Sequence, residues 1–237
     1  MASTPRYWAV VVAAGSGSRM AADRPKQYLP LAGRCVIEWS LEPFLGCDWI
    51  AGIVVVLAAA DHEFEKLPVS RDGRVFSVGG GASRAESVLC GLRWIEARLA
   101  KPHDRSYVLV HDAARPCLRR EDLDRLRDQA SNVDGGLLAT PVTDTLKREA
   151  QSRVDETVSR DALWRAQTPQ LFELPRLVQA LEVAESSGLA VTDDASAMEA
   201  IGAQPHLVRG SGSNIKITHA EDLALAEFWL RQLGRLP

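Results

Sequence analysis

From Ala13 to Met20 the chain reads Ala-Ala-Gly-Ser-Gly-Ser-Arg-Met, directly after an apolar run, and Pro25-Lys26-Gln27-Tyr28 follows shortly. Small residues let backbone amides come close to a ligand, and a nest of N–H groups favours anionic oxygens. Arg19 and Lys26 bring two cations to the same loop. The chemistry these residues support is the holding of phosphates and the stabilisation of charge that builds on them. A dinucleotide fingerprint fits poorly, because Met20 stands where its third glycine belongs and Pro25 interrupts the helix that should follow. A Walker A loop fits worse, since no Gly-Lys-Ser/Thr is present. On this segment alone a tight structural turn stays open.

Asp112 is a second candidate, just past an apolar run and three residues before Arg115. It either faces a ligand or is neutralised by Arg115 as an ion pair. His111 precedes it and is read as structural. The five histidines share no metal-ligand spacing, and Asp193 and Asp194 read as caps for the helix that follows them.

Such residues need a scaffold. Tyr7–Ala13, Ile53–Leu57, Val75–Val78, Tyr107–Val110 and Gly136–Thr140 are continuous apolar runs, the pattern of strands buried on both faces of a parallel sheet. Val36–Leu45, Arg84–Leu99 and Glu121–Ala130 read as helices between them; Leu123 and Leu126 give the last an apolar edge. The alternation predicts an open α/β sheet, whose ligands bind outside the carboxyl ends of strands. Thr145–Arg165 breaks the rhythm with mixed charges and no apolar stripe. It predicts a protruding two-stranded arm, and because a lone hairpin buries too little surface, the arm calls for a partner subunit. Helices at Leu174–Ser187 and Asp193–Ile201, strand-like pieces at His206–Arg209 and Asn214–Thr218, and a helix at Ala220–Gln232 complete one domain with an arm.

Composition sets the remaining bounds. The 237 residues are 46% hydrophobic and 25% charged, ordinary for a globular chain, and 28 Lys and Arg against 31 Asp and Glu give a net charge of −3. No general basic surface for nucleic acid is indicated. Apolar runs such as Ile53–Ala60 are too short to span a bilayer, and the N-terminal stretch has no export-signal pattern. Cys35, Cys47, Cys90 and Cys117 are scattered, without zinc or redox spacing, so four free thiols in the cytoplasm are expected.

With these readings in place, the first loop resembles the nucleotide loop of the 2-C-methyl-D-erythritol 4-phosphate cytidylyltransferases of the non-mevalonate isoprenoid pathway. Further segments match in the family's order: Gly79–Leu92 (GGGASRAESVLCGL), Val110–Pro116 (VHDAARP), Pro141–Arg148 (PVTDTLKR), Leu163–Phe172 (LWRAQTPQLF), Thr192–Ser196 (TDDAS) and Asn214–Glu227 (NIKITHAEDLALAE). The resemblance runs from about Ala9 to Phe228. It implies a Rossmann-like, mostly parallel sheet flanked by helices, and a homodimer whose arms, about 143–165, cross to complete each site. It implies a transferase that uses CTP, a polyol phosphate and Mg²⁺, with Arg19, Lys26 and Lys216 catalytic. By the same resemblance Ala13, Ala14, Gly15, Ser16 and Gly17, together with Gly80, Gly81, Arg84 and Ser87, bind the nucleotide. Asp112, Arg115, Thr145, Arg160 and Thr168 receive the acceptor. Asp112 also helps to organise the metal, and Thr145 and Arg160 come from the neighbouring subunit. Ala82 and Ser83 stand where an acidic residue is frequent, and Thr143 where a basic one is common. A pentitol phosphate such as ribitol phosphate is the rival acceptor, a silent nucleotide-binding relative the rival class, and a hydride-transfer enzyme lacks its third glycine.

Overall fold

The apolar runs become the inner strands of one sheet. The computed structural model describes residues 5–15, 24–99, 105–131 and 134–236. In chain order its elements are β1 (Arg6–Ala13), β2 (Pro30–Leu31), β3 (Arg34–Cys35), α1 (Val36–Leu45), β4 (Ile50–Leu57), β5 (Val75–Gly79), α2 (Arg84–Glu96), β6 (Ser106–Asp112), α3 (Arg120–Ala130) and β7 (Gly136–Pro141). After these come β8 (Leu146–Ala150), β9 (Arg153–Val158), β10 (Trp164–Glu173), α4 (Leu174–Ser186), α5 (Asp194–Ala200), β11 (His206–Arg209) and α6 (Asp222–Gln232).

The large sheet has the order β11-β7-β10-β6-β1-β4-β5, and every neighbouring pair is parallel except the two that β10 makes. Side chains alternate along β1. Ala9, Val11 and Ala13 face a core shared with Ile37, Leu41 and Phe44 of α1 and Leu123 and Leu126 of α3. Trp8 and Val10 face Val88, Leu92 and Ile95 of α2 and Leu177 and Leu181 of α4. Full burial of side chains of this size contributes about 1.5–3 kcal/mol each before conformational entropy is set against it. The sheet is covered on both sides, as a mostly parallel sheet requires.

One strand was not expected, and one expected strand is absent. The ten-residue β10 carries Gln167, Thr168 and Gln170, all buried, so it gives no apolar run from which a strand can be read. Asn214–Thr218 is not a ladder strand. It lies along the segment after β6, where the Ile217 N–H donates to the Ala114 carbonyl at 2.8 Å.

A third cluster joins Leu31, Val36 and Trp39 to Ile217, Ala226 and Leu230, fastening the C-terminal segment beside β6. Pro43 lies inside α1 and lacks the N–H that would pair with the Trp39 carbonyl four residues earlier. Arg235 takes that carbonyl at 2.7 Å, and also bonds Pro116 O and the Glu42 carboxylate.

The predicted arm is present as the β8–β9 hairpin, a separate two-stranded sheet with mostly exposed side chains. Trp164 and Arg165 do not belong to it: they pair with Pro141 and Thr140 in the large sheet.

Candidate active site

β1 ends at Ala13 and β6 at Asp112, side by side. From β1 the chain goes first to β4 on one flank and later to β6 on the other. That reversal opens a crevice at the carboxyl ends, the usual ligand position on such sheets. A cleft of about 420 Å³ lies there, walled by Ala13, Ala14 and Gly15, by Gly81, Ser83, Arg84 and Ser87, and by Lys26, Asp112 and Lys216.

The first loop is tied from below. Gln27 is buried and its amide donates to the Ala13 carbonyl at 2.7 Å, while Lys26 Nζ reaches the Ile217 carbonyl at 3.2 Å on the far wall. Ser16, Gly17 and Arg19 lie outside the described residues.

The second loop shows why Gly80 is glycine. A Cβ there would stand 2.7 Å from Ser87 Oγ, 2.9 Å from Ala14 Cβ and 3.1 Å from Val56 Cγ1. Gly80 is not itself a wall of the cleft; it lets the two loops touch. Ser87, on the first turns of α2, accepts the Gly81 N–H at 3.2 Å and donates to the Ser83 carbonyl at 2.8 Å. Ser83 caps α2 by accepting the Glu86 N–H at 3.1 Å. The Glu86 carboxylate accepts the Ala82 N–H at 2.8 Å, so that amide is already engaged.

Asp112 is the electrostatic centre. Its Oδ2 is 2.8 Å from Lys216 Nζ and 3.6 Å from Arg115 Nε, and its Oδ1 is 3.6 Å from Arg84 Nε. Burial works against its charge, but Arg84, Lys216 and Arg115 outweigh burial and hold the carboxyl well below the usual range. The pairing with Arg115 is thus real, but one of three. Arg115 does not line the cleft: its guanidinium is buried and donates to the Asn214 carbonyl at 2.7 Å.

Thr168 and His111 stand behind Asp112. The Thr168 hydroxyl accepts the Asp112 N–H at 3.0 Å and lies 3.0 Å from His111 Nδ1, while His111 Nε2 lies 3.2 Å from the Arg115 carbonyl. One proton arrangement satisfies all three contacts: Thr168 donates to Nδ1 and Nε2–H donates to the carbonyl. Burial pushes the imidazole down to about 4, so it is neutral near pH 7. This is a structural histidine, as its place at a strand end suggested.

Thr145 and Arg160 are exposed on and beside the arm, apart from the walls of the cleft of their own chain; Arg160 donates to the Thr143 carbonyl.

Sequence reasoning passed over two residues around the cleft and misread a third, Asp194. Gln27 sits inside the quoted Pro-Lys-Gln-Tyr, and Asn214, fully buried, anchors the Lys216 segment through Nδ2 to the Thr168 carbonyl at 2.8 Å. Asp193 does cap α5, accepting the Ser196 N–H at 2.9 Å. Asp194 does not cap: it is fully buried and pairs with Arg84 at 2.8 and 3.1 Å. One carboxylate suffices for a cap, so the second was the signal.

The family model described as 2-C-methyl-D-erythritol 4-phosphate cytidylyltransferase (IspD) matches residues 7–232. The protein of that name from Halorhodospira halophila is 54% identical over 226 residues, covering 93% of this chain and 92% of its own length. Its counterpart in Ectopseudomonas mendocina is 52% identical over 229 residues, with 96% and 95% covered. The crystal structure of the Francisella tularensis protein of that name superposes with a TM-score of 0.81 at 33% identity, over 95% of this chain and all of that one. With its crevice between β1 and β6, its two touching loops and its matched length, the chain belongs to the 2-C-methyl-D-erythritol 4-phosphate cytidylyltransferase family.

Proposed function

We propose that the chain transfers CMP from CTP to 2-C-methyl-D-erythritol 4-phosphate, giving 4-diphosphocytidyl-2-C-methyl-D-erythritol and pyrophosphate on the way to isoprenoid precursors. The observation that carries this is the convergence of Lys26, Lys216 and Arg84 on one cleft that Ala13, Ala14 and Gly15 also line. An oxygen of the acceptor phosphate forms a bond to the α-phosphorus of CTP, and the bond from that phosphorus to the bridging oxygen of pyrophosphate breaks. A phosphate monoester has a second pKa of about 6 and is largely dianionic near neutral pH. The attacking oxygen therefore needs no base, which agrees with a neutral, fully engaged His111.

The protein's work is to bring two polyanions together and to meet charge at the α-phosphate with preplaced cations. Lys26, with Arg19 by family resemblance, acts on the triphosphate. Lys216 starts on Asp112, 2.8 Å away, which aims its ammonium until phosphate oxygens compete for it. Ala13, Ala14, Gly15 and Gly81, with Ser16 and Gly17 by family resemblance, wrap the nucleotide, Gly80 and Ser87 fix that wrapping, and Arg84 is held at the inner wall. Arg115 and Thr168 set the Asp112 turn from behind.

Asp112 is the one carboxylate among the described residues that line the cleft, and no group of three His, Cys, Asp or Glu able to hold a metal occurs among them. That donor set fits Mg²⁺ carried mainly by phosphate oxygens and water, with Asp112 as its protein ligand. Held by Asp112, such an ion would supply neutralisation of charge on the phosphates.

The chain acts as a single nucleotidyltransferase domain. The arm points to a homodimer in which Thr145 and Arg160 of each copy serve the partner's acceptor pocket. No described helix is long and apolar enough to cross a membrane, and the free cysteines agree with a cytoplasmic setting.

The test is phosphorus NMR of CTP and Mg²⁺ with the enzyme and either methylerythritol phosphate or ribitol phosphate. New diphosphodiester resonances with the first acceptor alone are expected. Product from ribitol phosphate alone would move the protein to another acceptor class.

A further inference from the structure

Arg84 is placed against the grain of its helix. It is the first residue of α2, where the helix dipole disfavours a cation. What compensates is Asp194, fully buried, whose two oxygens take the NH1 and NH2 edge of the guanidinium at 3.1 and 2.8 Å. A guanidinium gripped along one edge has its remaining donors fixed in direction. Nε of Arg84 is then 3.6 Å from Asp112 Oδ1.

The element that carries Asp194 is itself bolted down. Gln170 of β10, almost fully buried, donates to the Asp193 carboxylate at 2.8 Å and accepts the Ala195 N–H at 2.7 Å. Both ends of one amide thus hold the first turn of α5 against the sheet, with Asp194 between its two contacts.

We infer that Asp194 is a positioning residue for the transfer: by gripping Arg84 edge-on it leaves the Asp112 carboxylate shared with Lys216 and Arg115 instead of captured by Arg84. This inference rests on the reaction proposed above. With Asp194 neutralised, Asp112 is the one carboxylate left facing Arg84 among the described residues that line the cleft. Arg84 then swings toward it, and Lys216 loses its 2.8 Å partner.

A double-mutant cycle tests it, using Asp194→Asn, Arg84→Gln and the pair together, with folded fraction measured by circular dichroism so that rates are given per folded molecule. Asp194→Asn is close to isosteric, and Arg84→Lys, which keeps charge but not the two-point grip, is the second variant. If Asp194 acts through Arg84, Asp194→Asn and Arg84→Lys each lower kcat roughly tenfold, and the double variant falls no further than Arg84→Gln alone. Losses that multiply independently, or kcat within twofold of wild type for Asp194→Asn, overturn the inference. The same cycle is read by calorimetry as CTP dissociation constants with no acceptor present. Non-additivity there, together with a wild type silent toward methylerythritol phosphate, would sink the proposed reaction and keep Asp194 as the residue that positions Arg84. Additivity in both readouts removes that role whatever the acceptor.

Discussion

His111 gives the sharpest stability prediction. Burial, against partial offsets from Asp112 and the Arg115 carbonyl, lowers its pKa from 6.5 to about 4. The unfolded chain takes up this proton near pH 6.5 and the folded chain only near pH 4, so the unfolded state binds more protons in between. Stability is therefore complete above pH 6.5 and is lost as pH falls toward 4, at up to about 1.4 kcal/mol per pH unit. Between pH 7.5 and pH 5 the loss from this one residue is about 2 kcal/mol. The Asp112 carboxyl is held below its ordinary range, so its stabilisation is lost only as pH falls through that range and beyond, outside this window. Urea unfolding at both pH values, on wild type and His111→Gln, measures the effect. The variant starts less stable because Thr168 and the Arg115 carbonyl lose a partner, and the comparison is of the change with pH. Wild type should lose about 2 kcal/mol more than the variant on acidification. Equal losses would refute a buried neutral imidazole here.

Two further predictions concern the loops and the arm. Gly80→Ala forces its methyl against Ser87 and Ala14; it should cost about 1–3 kcal/mol and weaken CTP binding. Gly212→Ala, which meets nothing within 4 Å, should do neither, as thermal melts and CTP titration will show. Inactive Lys26→Ala and inactive Arg160→Ala subunits, mixed, should recover part of wild-type activity, because each heterodimer then holds one intact site. No recovery in heterodimers demonstrated by mass would remove the shared site.

What the sequence made legible was whatever depends on uninterrupted local pattern. The apolar runs of β1, β4 and β6 have no polar residue to confuse them, and α1 ends where its pattern ends. β10 escaped because Gln167, Thr168 and Gln170 are buried for their hydrogen bonds, and a buried polar residue looks like a surface one until its partner is known. Asn214–Thr218 looked like a strand because Ile215 and Ile217 alternate with polar residues, yet its hydrogen bonds go to a turn and to a side chain. The cleft was legible in its loops, where residue type and spacing carry the chemistry. It was not legible in the pairing of Arg84 with Asp194, 110 positions apart, which meet only because α2 and α5 pack on the same face of the sheet. Thr168 read as a residue that meets the acceptor, and stands behind Asp112 with its hydroxyl engaged.

The most direct measurement is pyrophosphate release from CTP and Mg²⁺ with methylerythritol phosphate, run side by side on wild type and Lys216→Ala. Strong release by wild type is predicted, with kcat lowered roughly 100-fold in the variant while CTP affinity stays within a few fold, since Lys216 serves the reacting phosphates more than ground-state binding. Silence in the wild type, or a variant as fast as wild type, would contradict cytidylyl transfer at the Asp112–Lys216 cleft.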